Sequence, residues 1–160
     1  MKLTYDAGDV HETVALTVSS MWRDVLGVDV ELEKKEWKFF LATRDDRAAW
    51  QAMRFAWSGD YNDASTFLDI FRSDSQQNLP RYESDSYDAM LDEADRLTDS
   101  GLRSDSLKTA EALLLDAYPI SPLYFYVSKH VVSSRVRNFQ DNVLDRHPSQ
   151  FLRLEVNEQQ

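Results

Sequence analysis

The sequence predicts an α/β fold, and three stretches near its start carry that prediction. Val28-Asp29-Val30-Glu31-Leu32 alternates strictly between apolar and polar residues, the period of a strand with one buried face. Before it, Val14, Val18, Met21, Trp22 and Val25 recur at i, i+4, i+7, i+8 and i+11, one face of an amphipathic helix. Earlier still, Leu3–Tyr5 is a short apolar stub closed by Asp6-Ala7-Gly8-Asp9 and reads as a strand and its turn. Strand, helix, strand within about thirty residues is a βαβ unit with a right-handed crossover.

The remaining elements follow in order. Asp9 is placed to cap the first helix, with Glu12 three residues on in capping-box position, and Gly27 stands where helices end. Glu36–Arg44 reads as a short helix with Trp37, Phe40 and Leu41 on one side, and Asp45-Asp46-Arg47 as a polar break. Met53–Trp57 reads as a strand that breaks at Ser58-Gly59, where glycine permits backbone angles other residues resist. Asp60-Tyr61-Asn62-Asp63 comes next, then Phe67, Leu68, Ile70 and Phe71 at helical spacing. Ser73–Pro80 is a polar loop without periodicity.

Residues 84–98 return to a helical period, with Ser84 as cap and Tyr87, Met90, Leu91, Ala94 and Leu97 inward. Gly101 separates them from a second helix, about Arg103 to Tyr118, with Leu107, Ala110, Leu113, Leu114 and Ala117 inward; Pro119 stops it. Leu123–Val127 is a continuous β-prone run that predicts a strand covered on both faces, and Val131-Val132 a second short strand. From about Arg135 isolated apolar residues are strung through polar sequence, as in a tail that lies along a surface.

At 160 residues the length suits one domain. A net charge of −10 repels a phosphate backbone, so nucleic acid is a poor partner, and anionic membranes are equally so. There is no cysteine, hence no disulfide framework or thiolate chemistry. No apolar run approaches the ~18 residues that span a bilayer. The first residues do not form a signal peptide, because Asp6 and Asp9 arrive before any apolar region develops.

Enzyme readings do poorly. His11, His130 and His147 are far apart in sequence, and none has a partner at zinc-ligand spacing. There is no GxSxG, P-loop or GxGxxG, and no DxDxDG calcium loop. Asp85, Asp88, Asp92, Asp95 and Asp99 fall on the outer side of their helix as a solvated face. No catalytic group, metal or cofactor is therefore expected. The aromatics are more informative: Trp37, Trp50 and Trp57 are interleaved with Arg44, Arg47, Arg54 and Asp60. Core packing accounts for tryptophans, and Asp63 or Ser65 could simply cap the following helix. It accounts less well for Arg54 and Asp60 bracketing Trp57 at a strand end. Indole walls with charges of both signs suit a ligand bearing both an amine and a carboxylate.

Taken together, Glu36-Trp37-Lys38, Thr43-Arg44, Arg54, Ala56-Trp57-Ser58-Gly59-Asp60-Tyr61-Asn62 and Phe67-Leu68 resemble the C-terminal part of the periplasmic oligopeptide-binding proteins. Tyr5–Val28 and Ile120–Val127 agree, so the resemblance runs through nearly the whole chain. It implies one lobe of a type II periplasmic-binding-protein fold, a mixed sheet flanked by helices. It further implies a receptor of a peptide ABC transporter that captures short peptides and delivers them to permease subunits. In such proteins an aspartate matching Asp60 pairs with the peptide's α-amino group, and tryptophans matching Trp37 and Trp57 line side-chain pockets. Arginines matching Arg44 and Arg54 can meet the peptide's carboxylate, and Ser58 and Tyr61 belong to the same ligand-binding segment. The resemblance also implies a periplasmic location for the full-length protein. The alternative is the same fold serving another ligand, such as a cell-wall peptide, a nickel complex or a sugar.

Three departures stand out. Ala64 replaces a common proline, the Thr43–Arg54 interval is one residue longer, and the family's chains are several times longer. The expectation is a fragment comprising a partial lobe, 1–134, and a tail, 135–160, that would cross back to the other lobe. Phe139, Phe151 and Leu152 would then lack a home, and domain swapping or dimerisation would bury them.

Overall fold

The structure, a computed structural model, describes residues 1–155. Its contacts divide the chain into two units, Met1–Trp57 and the residues from Ser58 onward. In the first unit, β1 (Lys2–Asp6) is the middle strand of a three-stranded parallel sheet, flanked by β2 (Glu31–Lys35) and β3 (Ala52–Met53). A middle strand is buried on both faces. Leu3 and Tyr5 accordingly pack with Ala15 of α1 (Asp9–Leu26), while the alternate residues Thr4 and Asp6 are also buried. Thr4 Oγ1 donates to Glu33 Oε2 at 2.9 Å, satisfying its hydroxyl. Burial alone would raise the Glu33 pKa; hydrogen bonds from Thr4 and Lys2 and the charge of Lys35 outweigh it and lower the pKa.

The expected βαβ unit is present, with β1 and β2 parallel in the register Leu3↔Leu32 and Tyr5↔Lys34. Its strand is displaced, however. Lys2 lies opposite Glu31, so Val28–Val30 have no ladder partner in β1, though Val30 packs against the Leu3 and Tyr5 cluster, and the ladder runs on to Lys35 instead. Gly8, not Asp9, precedes the first helical residue, and no side chain caps the helix; Glu12 pairs with Lys34 at 2.7 Å. Gly27 ends α1 in the left-handed region at φ 66°, its N–H reaching the Arg23 carbonyl while Val28 N–H reaches Trp22. The helix turns its small residues to the sheet. Ala15 and Ser19 are buried, Val14, Val18 and Trp22 half-buried, and Met21 and Val25 exposed, so the inner face sits to one side of the expected stripe. After β2 comes α2 (Trp37–Asp45), whose Phe40 is buried and which packs on β1.

The regular elements of the second unit are mainly helices. A single turn, α3 (Ser65–Leu68), passes into a 3₁₀ turn, Asp69–Phe71. Next come α4 (Asp85–Arg96), capped by Ser84 Oγ accepting from Tyr87 N–H, and α5 (Ser100–Asp116), capped by Asp99. Gly101 lies inside the first turn of α5, not between the helices. Leu68, Tyr87, Leu91, Ala94, Leu107, Ala110 and Leu114 form the core, close to the expected stripes, although Ala117 is exposed. The buried Tyr87 hydroxyl donates to the Leu68 carbonyl at 2.7 Å, and burial pushes its pKa up. Asn78 organises the 73–80 loop, donating to the Arg72 and Tyr82 carbonyls and accepting from Tyr82 N–H. The acidic face of α4 is exposed but engaged: Arg72 bridges Asp69, Asp92 and Asp95.

The strands expected at Leu123–Val127 and Val131-Val132 are absent. Those residues are irregular and exposed, Phe125 to 97%, because no strand among the described residues lies alongside to complete a ladder. The tail instead forms its own ribbon, β4 (Val136–Arg137) antiparallel to β5 (Arg153–Leu154). Phe139 and Leu152 are half-buried there and Phe151 is exposed. His130 and His147, distant in sequence, stand with ring centroids 5.0 Å apart, contrary to the expectation of scattered histidines.

Candidate ligand-binding residues

Within the first unit, helical spacing places Trp37 and Phe40 on one side of α2, stacked at 5.8 Å. Phe55 continues the row at 6.2 Å from Phe40, and the Arg44 guanidinium lies 5.9 Å from the Phe55 ring centre. Arg44 also donates Nε–H to Asp45 at 2.8 Å. Two expected site residues, Trp37 and Arg44, are thus joined through Phe40 and Phe55. Trp37 is 56% exposed, an indole face open to a ligand. Phe55 was not among the expected site residues; its signal was its place between Arg54 and Trp57.

Met53–Trp57 is mostly not strand. Only Ala52–Met53 pair with β1, and Arg54 N–H adds one further bond to the Thr4 carbonyl. Arg54 is nearly buried, its Nη1 3.3 Å from Asp6 Oδ1. His11 Nδ1 stands 2.7 Å from the other Asp6 oxygen, close enough for an ion pair though off the line of a hydrogen bond. A buried guanidinium requires such a counter-charge. Trp57 is half-buried, and its indole N–H is buried with no acceptor among the described residues. An unmatched donor of this kind costs about 1–3 kcal/mol until an acceptor arrives.

In the second unit, the backbone at Gly59 approaches the start of α3 closely. A Cβ there would stand 3.1 Å from Thr66 Cγ2 and 3.2 Å from Phe67 Cζ. Close approach, not a positive φ, accounts for this glycine; Gly27 is the glycine with positive φ among the described residues. Thr66 Oγ1 accepts from Asp60 N–H at 3.0 Å, and the Tyr61 and Ser65 hydroxyls share a 3.1 Å hydrogen bond. Ser58, Asp60 and Tyr61 are all exposed.

The two acids of this loop differ in kind. Asp63 Oδ1 accepts from Ser65 N–H, and both carboxylate oxygens take the fork of Arg103 at 2.5 and 3.0 Å. The Arg103 hydrogen bonds hold the Asp63 carboxyl at about 2. Asp63 therefore does the local structural work. The Asp60 carboxylate is exposed and makes no ion pair or hydrogen bond among the described residues. Its backbone is fixed and its charge is available.

Residues 1–78 match the family model described as bacterial extracellular solute-binding proteins, family 5 Middle. The chain is also 35% identical over 137 residues to the periplasmic oligopeptide-binding protein OppA of Salmonella typhimurium, covering 86% of this chain and 25% of that protein. The match to the family model thus covers the first part of the chain, and the similarity to a named relative runs on through most of the rest. A second relative, 37% identical over 126 residues, is the probable deoxycholate-binding periplasmic protein YgiS of Escherichia coli, covering 78% of this chain and 23% of that protein. Among solved structures, Haemophilus influenzae OppA in complex with RPPGFSPFR superposes with a TM-score of 0.85 at 30% identity, over 96% of this chain and 30% of that one. The chain spans about a quarter of the length of the curated relatives it matches. The family's named members are solute-binding proteins, and the α/β lobe expected from the sequence is the fold they share.

Proposed function

We propose that this chain contributes to the substrate-binding component of a peptide ABC transporter, which captures short peptides and delivers them to membrane permease subunits from the periplasm. The observation that carries the reading is the contrast between the two acids: Asp63 is consumed by Arg103 and Ser65, while Asp60 presents an exposed carboxylate, unpartnered among the described residues, on a fixed backbone. That arrangement suits the α-amino group of a peptide, with a charge-assisted hydrogen bond as the contact. The role is binding rather than catalysis. Trp37 and Trp57 would border side-chain pockets, and the Trp57 indole N–H would gain an acceptor. Arg44 and Arg54 would meet the carboxylate, Arg44 with the more accessible guanidinium. Ser58 and Tyr61 complete the segment.

Calorimetric titration of a mixed tri- and tetrapeptide pool into the full-length protein, wild type and Asp60→Ala, tests this. The expected result is strong heat in the wild type and its loss in the variant, with unfolding stability unchanged within about 0.5 kcal/mol. No heat in either protein would remove the peptide reading.

A receptor for a different ligand is the second reading, favoured by the similarity to a probable deoxycholate-binding protein. A bile acid lacks the amine that Asp60 would engage, so binding of deoxycholate insensitive to Asp60→Ala would favour it. For the tail from Arg135, exposed Phe151 supports burial against the other lobe in the full-length protein, and against a second copy when the chain stands alone. A clean monomer by light scattering at high concentration would count against the second copy.

A further inference from the structure

Outside those residues, one cluster of metal-ligating side chains is assembled by the fold. His130 Nε2 lies 2.5 Å and His147 Nε2 3.0 Å from the same oxygen, Asp145 Oδ1. One ligand atom from each residue lies within 4.8 Å of the other two. We propose that His130, Asp145 and His147 form a binding site for a divalent transition-metal ion, with zinc as the representative.

Donor chemistry comes first. Two imidazoles and a carboxylate are ligands that zinc and its neighbours take readily, whereas calcium and magnesium prefer oxygen-only sets. Geometry comes next. Tetrahedral zinc with bonds near 2.0–2.1 Å sets its ligand atoms about 3.3 Å apart. Each histidine nitrogen must therefore draw back from the Asp145 oxygen by less than an ångström to admit the ion, and as exposed or half-buried side chains on irregular chain they have that freedom.

The site is also built. Asn142 closes the turn before it, accepting from Arg146 N–H and donating to the Arg146 carbonyl. Asp145 sits in that turn at φ 51°. Phe139 stacks on His147 at 4.0 Å and meets His130 edge-on at 5.3 Å, fixing both ring planes. Supporting contacts that orient ligands are the usual companions of metal sites. A cavity of about 270 Å³ opens beside the cluster, lined by Asp141 and Asn142 as well as His130 and Asp145. It leaves room for a fourth ligand, water or a small donor, and Asp141 adds negative charge. The ion would tie His130, at the end of the irregular exposed segment, to the 141–147 turn.

The test is calorimetric titration of ZnCl₂ into untagged, chelator-stripped full chain, beside His147→Gln, Asp145→Asn and His11→Asn. One zinc per chain is expected, with affinity falling ~10-fold or more in the first two variants and unchanged in His11→Asn. Since either cluster variant could disturb the turn, nitrogen-15 NMR of the wild-type imidazoles gives a second readout. Zinc should move Nε2 of His130 and His147 from N–H to metal-bound shifts and leave His11 where it is. Absence of zinc binding, affinity unchanged in both cluster variants, or shifts confined to His11 would overturn the assignment.

Discussion

Two neighbouring stretches of the second unit, 85–116 and 118–135, are both rich in apolar and aromatic side chains, yet one is core and the other is surface. In α4 and α5 the apolar residues lock together, with Leu91 1% exposed and Tyr87 fully buried. In the following stretch Leu123, Tyr124, Phe125, Tyr126 and Val127 are all exposed. The difference lies in where the backbone finds its hydrogen bonds. A helix satisfies its own, so α4 needs only a cap and a partner face, and both lie within thirty residues of chain. A strand must borrow from a neighbour, and no strand among the described residues adjoins 123–127. The first unit obeys the same rule: β2 exists only opposite β1, whatever the alternation before Glu31 suggests.

The largest test of this contrast is a pair of truncations followed by urea unfolding. Leu91→Ala should cost about 2–5 kcal/mol through lost burial and a residual cavity. Phe125→Ala should change stability by less than about 0.5 kcal/mol, since its ring is already in water. A comparable loss for Phe125 would mean that the run is covered in solution.

Removing the Tyr87 hydroxyl sharpens the core side of the comparison. Tyr87→Phe keeps the ring and forfeits the bond to the Leu68 carbonyl, an expected loss of about 1 kcal/mol in the same assay.

The smallest effect concerns Asp63, whose pKa is lowered from 3.8 to about 2, chiefly by the Arg103 hydrogen bonds. A depressed carboxyl stabilises the fold above its unfolded pKa. This contribution is therefore complete above about pH 5 and is lost as pH falls from about 4 toward 2. Both side chains are partly exposed, so solvent screening keeps it to about 1 kcal/mol or less. Asp63→Asn should flatten that part of the stability-against-pH curve. An unaltered acid slope would show that the ion pair does not contribute.

Much of the fold was legible because its signals are local. Ser84 as a cap, Gly27 as a helix stop and the inward residues of α4 and α5 need only spacing to be recognised. Asp60 stood out through its place after a tryptophan and a glycine. Its distinction from Asp63 was not legible, because the partner that removes Asp63 from service, Arg103, is forty residues away. The counter-charge of Arg54 was hidden for the same reason: Asp6, which engages it, lies forty-eight residues earlier. The histidines were likewise read apart, since the contact joining His130 to Asp145 and His147 forms only when the turn at Asn142 brings them round.

By itself, then, the sequence determined the α/β class, the opening βαβ unit, the helix pair and the family resemblance. Each rests on periodicity, caps or residue order, which act over a turn or two of chain. Only the tertiary structure decided which strands exist and which charges are spent on one another. Ladders, ion pairs and clusters are made between residues far apart in sequence, and their partners are chosen by packing.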